Sequence, residues 1–451
     1  MSEPSNGRKW YQIRWFQDYD TPEERKLIAK LDFLIVPYVF LAYWVKYIDQ
    51  ANINNAYVAG LKEDLRFHGN ELVRLQTMYI IGAVVGQLPF MYLFTRIPMF
   101  YLVPFLDVAW GIFTLLQYRV HSFAELAAYR FLVGLFEAAF FPAIHYIFGS
   151  WYRGDEIGRR GGFFYVGLTL GTLTAALIQS GATSRLDGVH GLAGWRWMYI
   201  ICAIITIPVG LLGLCVLPGT PDKPNMLVLT ERDVTVARNR LARAGHNVGG
   251  SVTLGTFVKI ARSPLVWAFL LLDIFFWNGS INTSSGGYLL WLKSLDRYSK
   301  ARINELGAIS PALGIFYTLT SWNITGLIIL TIWNVPEPAI WFAFMTTYSA
   351  VAMSTERAVA LVLANTLAQS TTAWTPLLVF KTVEGPRFPK GWPFVLANAV
   401  CLIILAHIIR LYIKKRPNER EPISEDESAA SIQETVEISK PRVLPVHEGP
   451  A

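Results

Sequence analysis

The sequence has 451 residues, of which 53% are hydrophobic, 14% aromatic and 16% charged, with a formal net charge of +7. A soluble domain carries about 25% charged residues, so this chain has too little polar surface to hold its apolar residues in water. The modest positive charge lies in loops and at the ends, which excludes a nucleic-acid surface, and three cysteines set in apolar runs (Cys202, Cys215, Cys401) exclude a disulfide framework or a Cys/His metal site.

Residues 1–20 are polar, and no removable signal peptide is expected at this end. Thr21-Pro22-Glu23-Glu24 predicts a helix start, with Thr21 as cap, Pro22 at the first helical position and Glu24 closing a capping box. A bilayer-spanning helix needs about 20 apolar residues, and runs of that kind predict spans near 31–49, 72–95, 100–118, 124–149, 161–182 and 197–217. A polar segment then follows at 218–262, opened by Pro218, Pro221 and Pro224. Further spans are predicted near 264–292, 303–335, 339–354, 357–380 and 392–413, and a hydrophilic tail starts at Lys414-Lys415-Arg416. Inside hydrocarbon every backbone polar group must be paired within its own segment, so these runs read as helices.

The expected architecture is an all-α polytopic membrane protein of about 11–12 transmembrane helices in two bundles. Its parts are an N-terminal segment (1–30), a six-helix bundle (31–217), a linker (218–262), a second bundle that is incomplete by count (263–413), and a tail (414–451). With the N-terminus in the cytosol, the cytosolic segments of the first half hold 17 Lys/Arg against 5 on the other side, the asymmetry that sets topology. The basic cluster at 414–416 places the C-terminus in the cytosol as well. The second half is shortened: residues 303–335 are too long for one untilted span and too short for two with a loop.

Two helical halves joined by a polar linker is the layout of secondary transporters, whose substrates bind near the bilayer midplane between the halves. An ionisable residue at that depth is costly and marks function by default. Lys46 and Asp49 are three apart on one helix face, followed by Gln50, Asn52, Asn54 and Asn55; they read as an entrance lining or as a helix end reaching interfacial water. Arg130 and Glu137 lie two turns apart on one face. Glu137 is bordered by apolar residues and suits proton exchange, while Arg130 suits an anionic substrate or a structural pair with Glu137. His145 reads as a packing histidine before a relay. Trp151-Tyr152 with Arg153, Glu156, Arg159 and Arg160 reads equally as an aromatic belt with positive-inside charge and as gating salt bridges. In the second half, Asp273, Asn278, Asn282 and Gln369 with Ser370, Thr371 and Thr372 are polar residues that contact substrate or bond neighbouring helices. Glycines 158, 161, 162, 167 and 171 read as close helix packing. No phosphate-binding loop, HExxH or GxSxG is present, so neither an ATP-driven pump nor a membrane enzyme is expected.

Three stretches carry a family resemblance. They are Leu31–Tyr38 with Tyr47–Tyr57, then Arg130–Glu137 with Pro142, His145 and Trp151-Tyr152, and Gly86-Gln-Leu-Pro89 after the second span. The chain resembles the major facilitator superfamily, and within it the fungal allantoate-permease (anion:cation symporter) family. Thr331–Glu337 and Lys381–Trp392 are similar to its pantothenate and vitamin H transporter group. The resemblance implies a proton-coupled symporter of a small organic carboxylate, pantothenate first and biotin or allantoate next. With this reading no cofactor beyond the proton gradient is expected, the protein is expected to be a monomer in the plasma membrane, and the polar residues set in the spans predict a pathway through Lys46, Asp49, Asn52, Arg130, Glu137, His145, Asn278 and Gln369. Relatives have more residues near 319–321 and 354–355. An efflux carrier of a secondary metabolite and a non-transporting remnant stand as the alternatives.

Overall fold

The computed structural model describes residues 20–94, 96–243, 264–278, 287–309, 355–384 and 390–414, with a few single positions beside them. Helix α1 (Pro22–Ala56) opens as predicted. The Thr21 N–H donates to Glu24 Oε2 at 2.8 Å and the Glu24 N–H donates to Thr21 Oγ1 at 3.3 Å, which pairs two donors the helix itself leaves open. At its other end α1 runs into a wide π-type turn, Tyr57–Leu61, where Gly60 takes φ 127°. A side chain there would be strained.

The first half continues with α2 (Glu71–Phe94), α3 (Met99–Leu116), α4 (Phe123–Glu137), α5 (Phe140–Trp151), α6 (Gly154–Arg185) and α7 (Gly194–Val216). The run predicted as a single span at 124–149 is two helices. Pro142 has no N–H for the Ala138 carbonyl and its ring crowds that oxygen, so the ladder breaks at Ala138–Ala139. Among the described residues, five helical stretches are long and apolar enough to cross a bilayer, α4 and α5 counting as one. Helix α6, 32 residues long, is richer in Gly and Thr and lies outside that set.

Small residues bring the backbones together. A Cβ on Gly134 would fall on the Tyr79 carbonyl, and one on Gly82 would fall on the Phe131 carbonyl, so α2 and α4 touch main chain to main chain. A Cβ on Gly171 would sit 2.5 Å from the Trp44 carbonyl oxygen, which seats α6 on α1. Gly167 and Gly171 therefore serve the packing read from the sequence.

The linker begins with a two-strand hairpin, β1 (Gly219–Thr220) and β2 (Lys223–Pro224), then helix α8 (Glu231–Arg243). This end of the bundle, called the linker end below, is tied by ion pairs. Arg153 Nη2 meets Asp20 at 2.6 Å, Arg160 grips Asp32 through two bonds of 2.5 and 2.8 Å, and Arg240 bonds Glu156. The sequence left Trp151-Tyr152 open between belt and gate. Both are 0% exposed, with the Trp151 indole N–H on the Gly219 carbonyl at 2.8 Å and the Tyr152 ring under Arg160, so they are core and not belt. Burial pushes the Asp233 carboxyl up, but the Lys30 ammonium and Thr230 donors outweigh it and hold it below the usual carboxylate range. Its contact with Lys30 is therefore present above the ordinary carboxylate pKa of about 4 and is lost as pH falls through the lower folded value.

Removing one partner of a buried pair strands the other charge at a cost of about 3–5 kcal/mol. Arg240 is 2% exposed and Glu156 4%. Arg240→Ala is accordingly expected to lower the melting temperature of the detergent-purified protein well below that of the exposed-site control Arg232→Ala. Equal melting would show that α8 does not brace the bundle.

The second half is described as α9 (Pro264–Asn278), α10 (Gly287–Ser294), α11 (Lys300–Gly307), α12 (Thr355–Val379) and α13 (Gly391–Lys414). The predicted span 339–354, most of 303–335, and the positions 319–321 and 354 lie outside the described residues. The chain to Leu405 forms one compact unit, and from residue 406 only the last turns of α13 are described. Away from the linker end the two halves meet. Leu289, Leu292, Ile303 and Leu306 pack with Ile53, Tyr57 and Leu61, and Lys293 pairs with Glu63 at 2.8 Å.

Candidate functional site

A cavity of about 330 Å³ lies between the halves. Helix α1 supplies Lys46, Gln50, Asn54 and Asn55, α2 supplies Gln76, Tyr79 and Gln87, and α4 supplies Arg130 and Glu137. From the second half come Trp277, Tyr288, Gln369 and Thr372. The volume falls in the range of small-molecule sites, about 300–1,000 Å³.

Glu137 ends α4 at the break before α5, and its side chain is 1% exposed. Its Oε1 takes the Tyr79 hydroxyl at 2.6 Å and faces Lys46 Nζ at 3.3 Å. The sequence offered Arg130 as the pairing partner. Two helical turns hold Arg130 along the same face but a turn too far for contact, so Lys46 from α1 takes that place. At 3.3 Å and an effective dielectric near 20 the attraction is about 5 kcal/mol, comparable with the desolvation of one ion. Arg130 is 2% exposed. Its Nη1 reaches the Asp49 carbonyl at 3.5 Å and its guanidinium lies 4.9 Å from the Tyr79 ring centroid. Its Nε has no hydrogen-bond partner among the described residues. Arg130 thus brings a cation with an unused donor to the cavity wall.

Other sequence-selected residues sit differently. Lys46 and Asp49 diverge despite their spacing: Lys46 lines the cavity, while Asp49 points to α7, accepting from Thr206 Oγ1 at 3.1 Å. Asn52 is 0% exposed, with its Oδ1 3.5 Å from Cys202 Sγ. The cavity members of that polar run are Gln50, Asn54 and Asn55. His145 lies off the cavity, its Nδ1 2.9 Å from the Phe141 carbonyl. Asn278 bonds Thr371 Oγ1 at 2.6 Å and joins α9 to α12. Gln369 lines the cavity and accepts from Gln87 Nε2 at 3.0 Å, a bond across the two halves. Asp273 is buried on α9 outside the cavity lining.

Sequence reading missed Tyr79 and Asp107. A tyrosine in an apolar helix gives no signal, since it is usually packing. Asp107 stands alone in Leu106-Asp107-Val108, and the expectation that ionisable residues at depth are functional singles it out.

The comparisons fit this geometry. Residues 39–376 match the family model of the Major Facilitator Superfamily. The chain is 36% identical to the vitamin H transporter of Saccharomyces cerevisiae over 93% of its own length and 77% of that protein's. It is 32% identical to the pantothenate transporter liz1 of Schizosaccharomyces pombe, over 82% and 78% of the two chains. The first alignment spans 464 positions against the 451 residues of this chain, so the yeast protein carries residues with no counterpart here. In fold, the chain is similar to a D-xylose–proton symporter (TM-score 0.56, 15% identity, 83% and 97% coverage). It is likewise similar to a bacterial homologue of the human lysosomal transporter Spinster (TM-score 0.55, 14% identity, 87% and 99% coverage). The chain belongs to the major facilitator superfamily and is a multi-pass membrane transporter, not an enzyme.

Proposed function

We propose that this transporter is a proton-coupled symporter of a small organic carboxylate, importing it by alternating access with the linker end and both termini in the cytosol of a fungal-type cell. It works as a monomer in the plasma membrane, driven by the proton gradient without a cofactor. The observation that carries the reading is the grouping of Lys46, Arg130 and Glu137 in one cavity between the halves. The substrate carboxylate competes with Glu137 for Lys46 and takes the fork of Arg130. Glu137, losing its counter-ion, takes up a proton, so anion and proton bind together. The amides of Gln50, Asn54 and Asn55 are placed for the polar body of the ligand. The contacts among Tyr57, Leu289, Leu292 and Ile303 form the outer gate.

The names of the relatives make biotin and pantothenate the first ligands to test, with allantoate third. The test is uptake of each labelled vitamin by a host lacking its own carriers, at acidic and neutral external pH. Saturable uptake of one vitamin, stimulated by external acid and collapsed by a protonophore, is expected. Pre-loaded cells that extrude the label without uptake would mark an efflux carrier. No movement in either direction would favour the remnant.

A further inference from the structure

Asp107 is the only carboxylate of α3 and stands behind the cavity, not in its lining. It is 2% exposed. Its Oδ2 accepts from the Tyr38 hydroxyl at 2.7 Å, while Oδ1 has no hydrogen-bond partner among the described residues. The charged groups acting on it are Lys46 on α1 and Glu137 on α4. Helix α7 brings Gly210 against its β-carbon, and the histidine of α5, His145, has its Nδ1 2.9 Å from the Phe141 carbonyl.

Charge balance singles out one member of this cluster. Among the described residues of the first bundle, three carboxyls around the cavity (Asp49, Asp107, Glu137) share the interior with two cations (Lys46, Arg130), so full ionisation leaves one uncompensated negative charge in a low dielectric. One bound proton removes it. Glu137 touches Lys46. Asp49 holds the Thr206 hydroxyl and lies in the field of Arg130 and beside the Trp110 indole. Asp49 and Asp107 each have a neutral hydroxyl partner and an unpartnered Oδ1, but Arg130 Nη1 lies 3.5 Å from the Asp49 carbonyl, whereas Asp107 has no cation in hydrogen-bond contact among the described residues; its tyrosine partner can donate to a carboxylate or accept from a carboxylic acid. It also lies closer along its helix to the linker end, since α3 starts there at Met99.

We propose that Asp107 is a proton-holding residue of the transport cycle, the resting place of the proton between Glu137 and the linker end. The inference rests on the proton-coupled reading above. In the transfer, the Glu137 carboxylic acid gives its proton, the Asp107 carboxylate takes it, and the Lys46 ammonium, which acts on both, pairs with the Glu137 carboxylate. No other bond changes.

The test has two readouts on reconstituted protein. Infrared difference spectra between neutral and alkaline buffer are expected to show a protonated-carboxyl band in the empty wild type that is absent from Asp107→Asn and present, shifted, in Asp107→Glu. With labelled vitamin, Asp107→Asn is expected to exchange substrate across the membrane but not to accumulate it against a gradient. An unchanged band in Asp107→Asn, or a band lost only in Glu137→Gln, overturns the assignment, as does full accumulation by Asp107→Asn. If Asp107→Asn does not fold, an Asp107→Glu band identical to wild type overturns it. Failure of the wild type to move any vitamin would refute the functional reading alone, because the infrared result does not depend on a substrate.

Discussion

Arg130→Ala is expected to lower the initial rate of carboxylate uptake about 100-fold or more at equal abundance in the membrane. A hydrogen bond to a charged group contributes about 1.5–3 kcal/mol, and each 1.4 kcal/mol is tenfold, so loss of a two-pronged grip on a carboxylate reaches that size. The guanidinium has the freedom to make it: its Nε is unpartnered, and its one backbone contact, with the Asp49 carbonyl, is long at 3.5 Å. Arg130→Lys keeps the charge but not the planar fork and should recover only part of the loss, chiefly as a raised KM. The comparison needs a folding control, because removing the cation leaves Glu137 and Asp49 with Lys46 alone. Size-exclusion profiles in detergent supply it. Unimpaired uptake by a well-folded Arg130→Ala would take the substrate anion elsewhere.

Glu137→Gln is expected to abolish uphill, acid-driven uptake, with accumulation falling to passive equilibration while substrate exchange partly survives. Glutamine still accepts from the Tyr79 hydroxyl, so the local geometry at that 2.6 Å contact persists. What disappears is the proton-binding group. Lys46 then loses its counter-ion, and a substrate carboxylate meets a free ammonium, so exchange should show a lower KM. The double variant Lys46→Met, Glu137→Gln removes both charges and should lose that gain. Undiminished accumulation in Glu137→Gln would remove Glu137 from coupling.

Much of this molecule was legible before its coordinates, for reasons that differ from residue to residue. Helix existence followed from apolar run length, because hydrocarbon leaves the backbone no alternative. The start of α1 was readable because a capping box is a local motif, complete within Thr21–Glu24. Arg130 and Glu137 stood out because charge in an apolar run is costly, and both reach the cavity. The partnership of Glu137 with Lys46 was not readable. It joins α1 to α4 over a long sequence separation, and helical spacing gives information only within one helix. The same limit explains Asp49: spacing puts it near the face of Lys46, but its neighbour is decided by where α7 packs. The Ala138–Ala139 break was latent in Pro142, yet a proline in the first turn of a new helix and one inside a kinked helix look alike in sequence. Trp151 and Tyr152 carry the composition of an interfacial belt, and only the linker hairpin and Arg160 that cover them make them core.

The measurement that bears most directly on alternating access is two-sided labelling of the cavity. Ala83 lines it, and the assay uses a background in which the three native cysteines, all free, are replaced by serine. In oriented proteoliposomes, Ala83→Cys should react with a membrane-impermeant thiol reagent added from either face, with bound substrate changing the balance between the two rates. Reaction from one face only, at a rate that substrate leaves untouched, would contradict a carrier that presents Lys46, Arg130 and Glu137 to each side in turn.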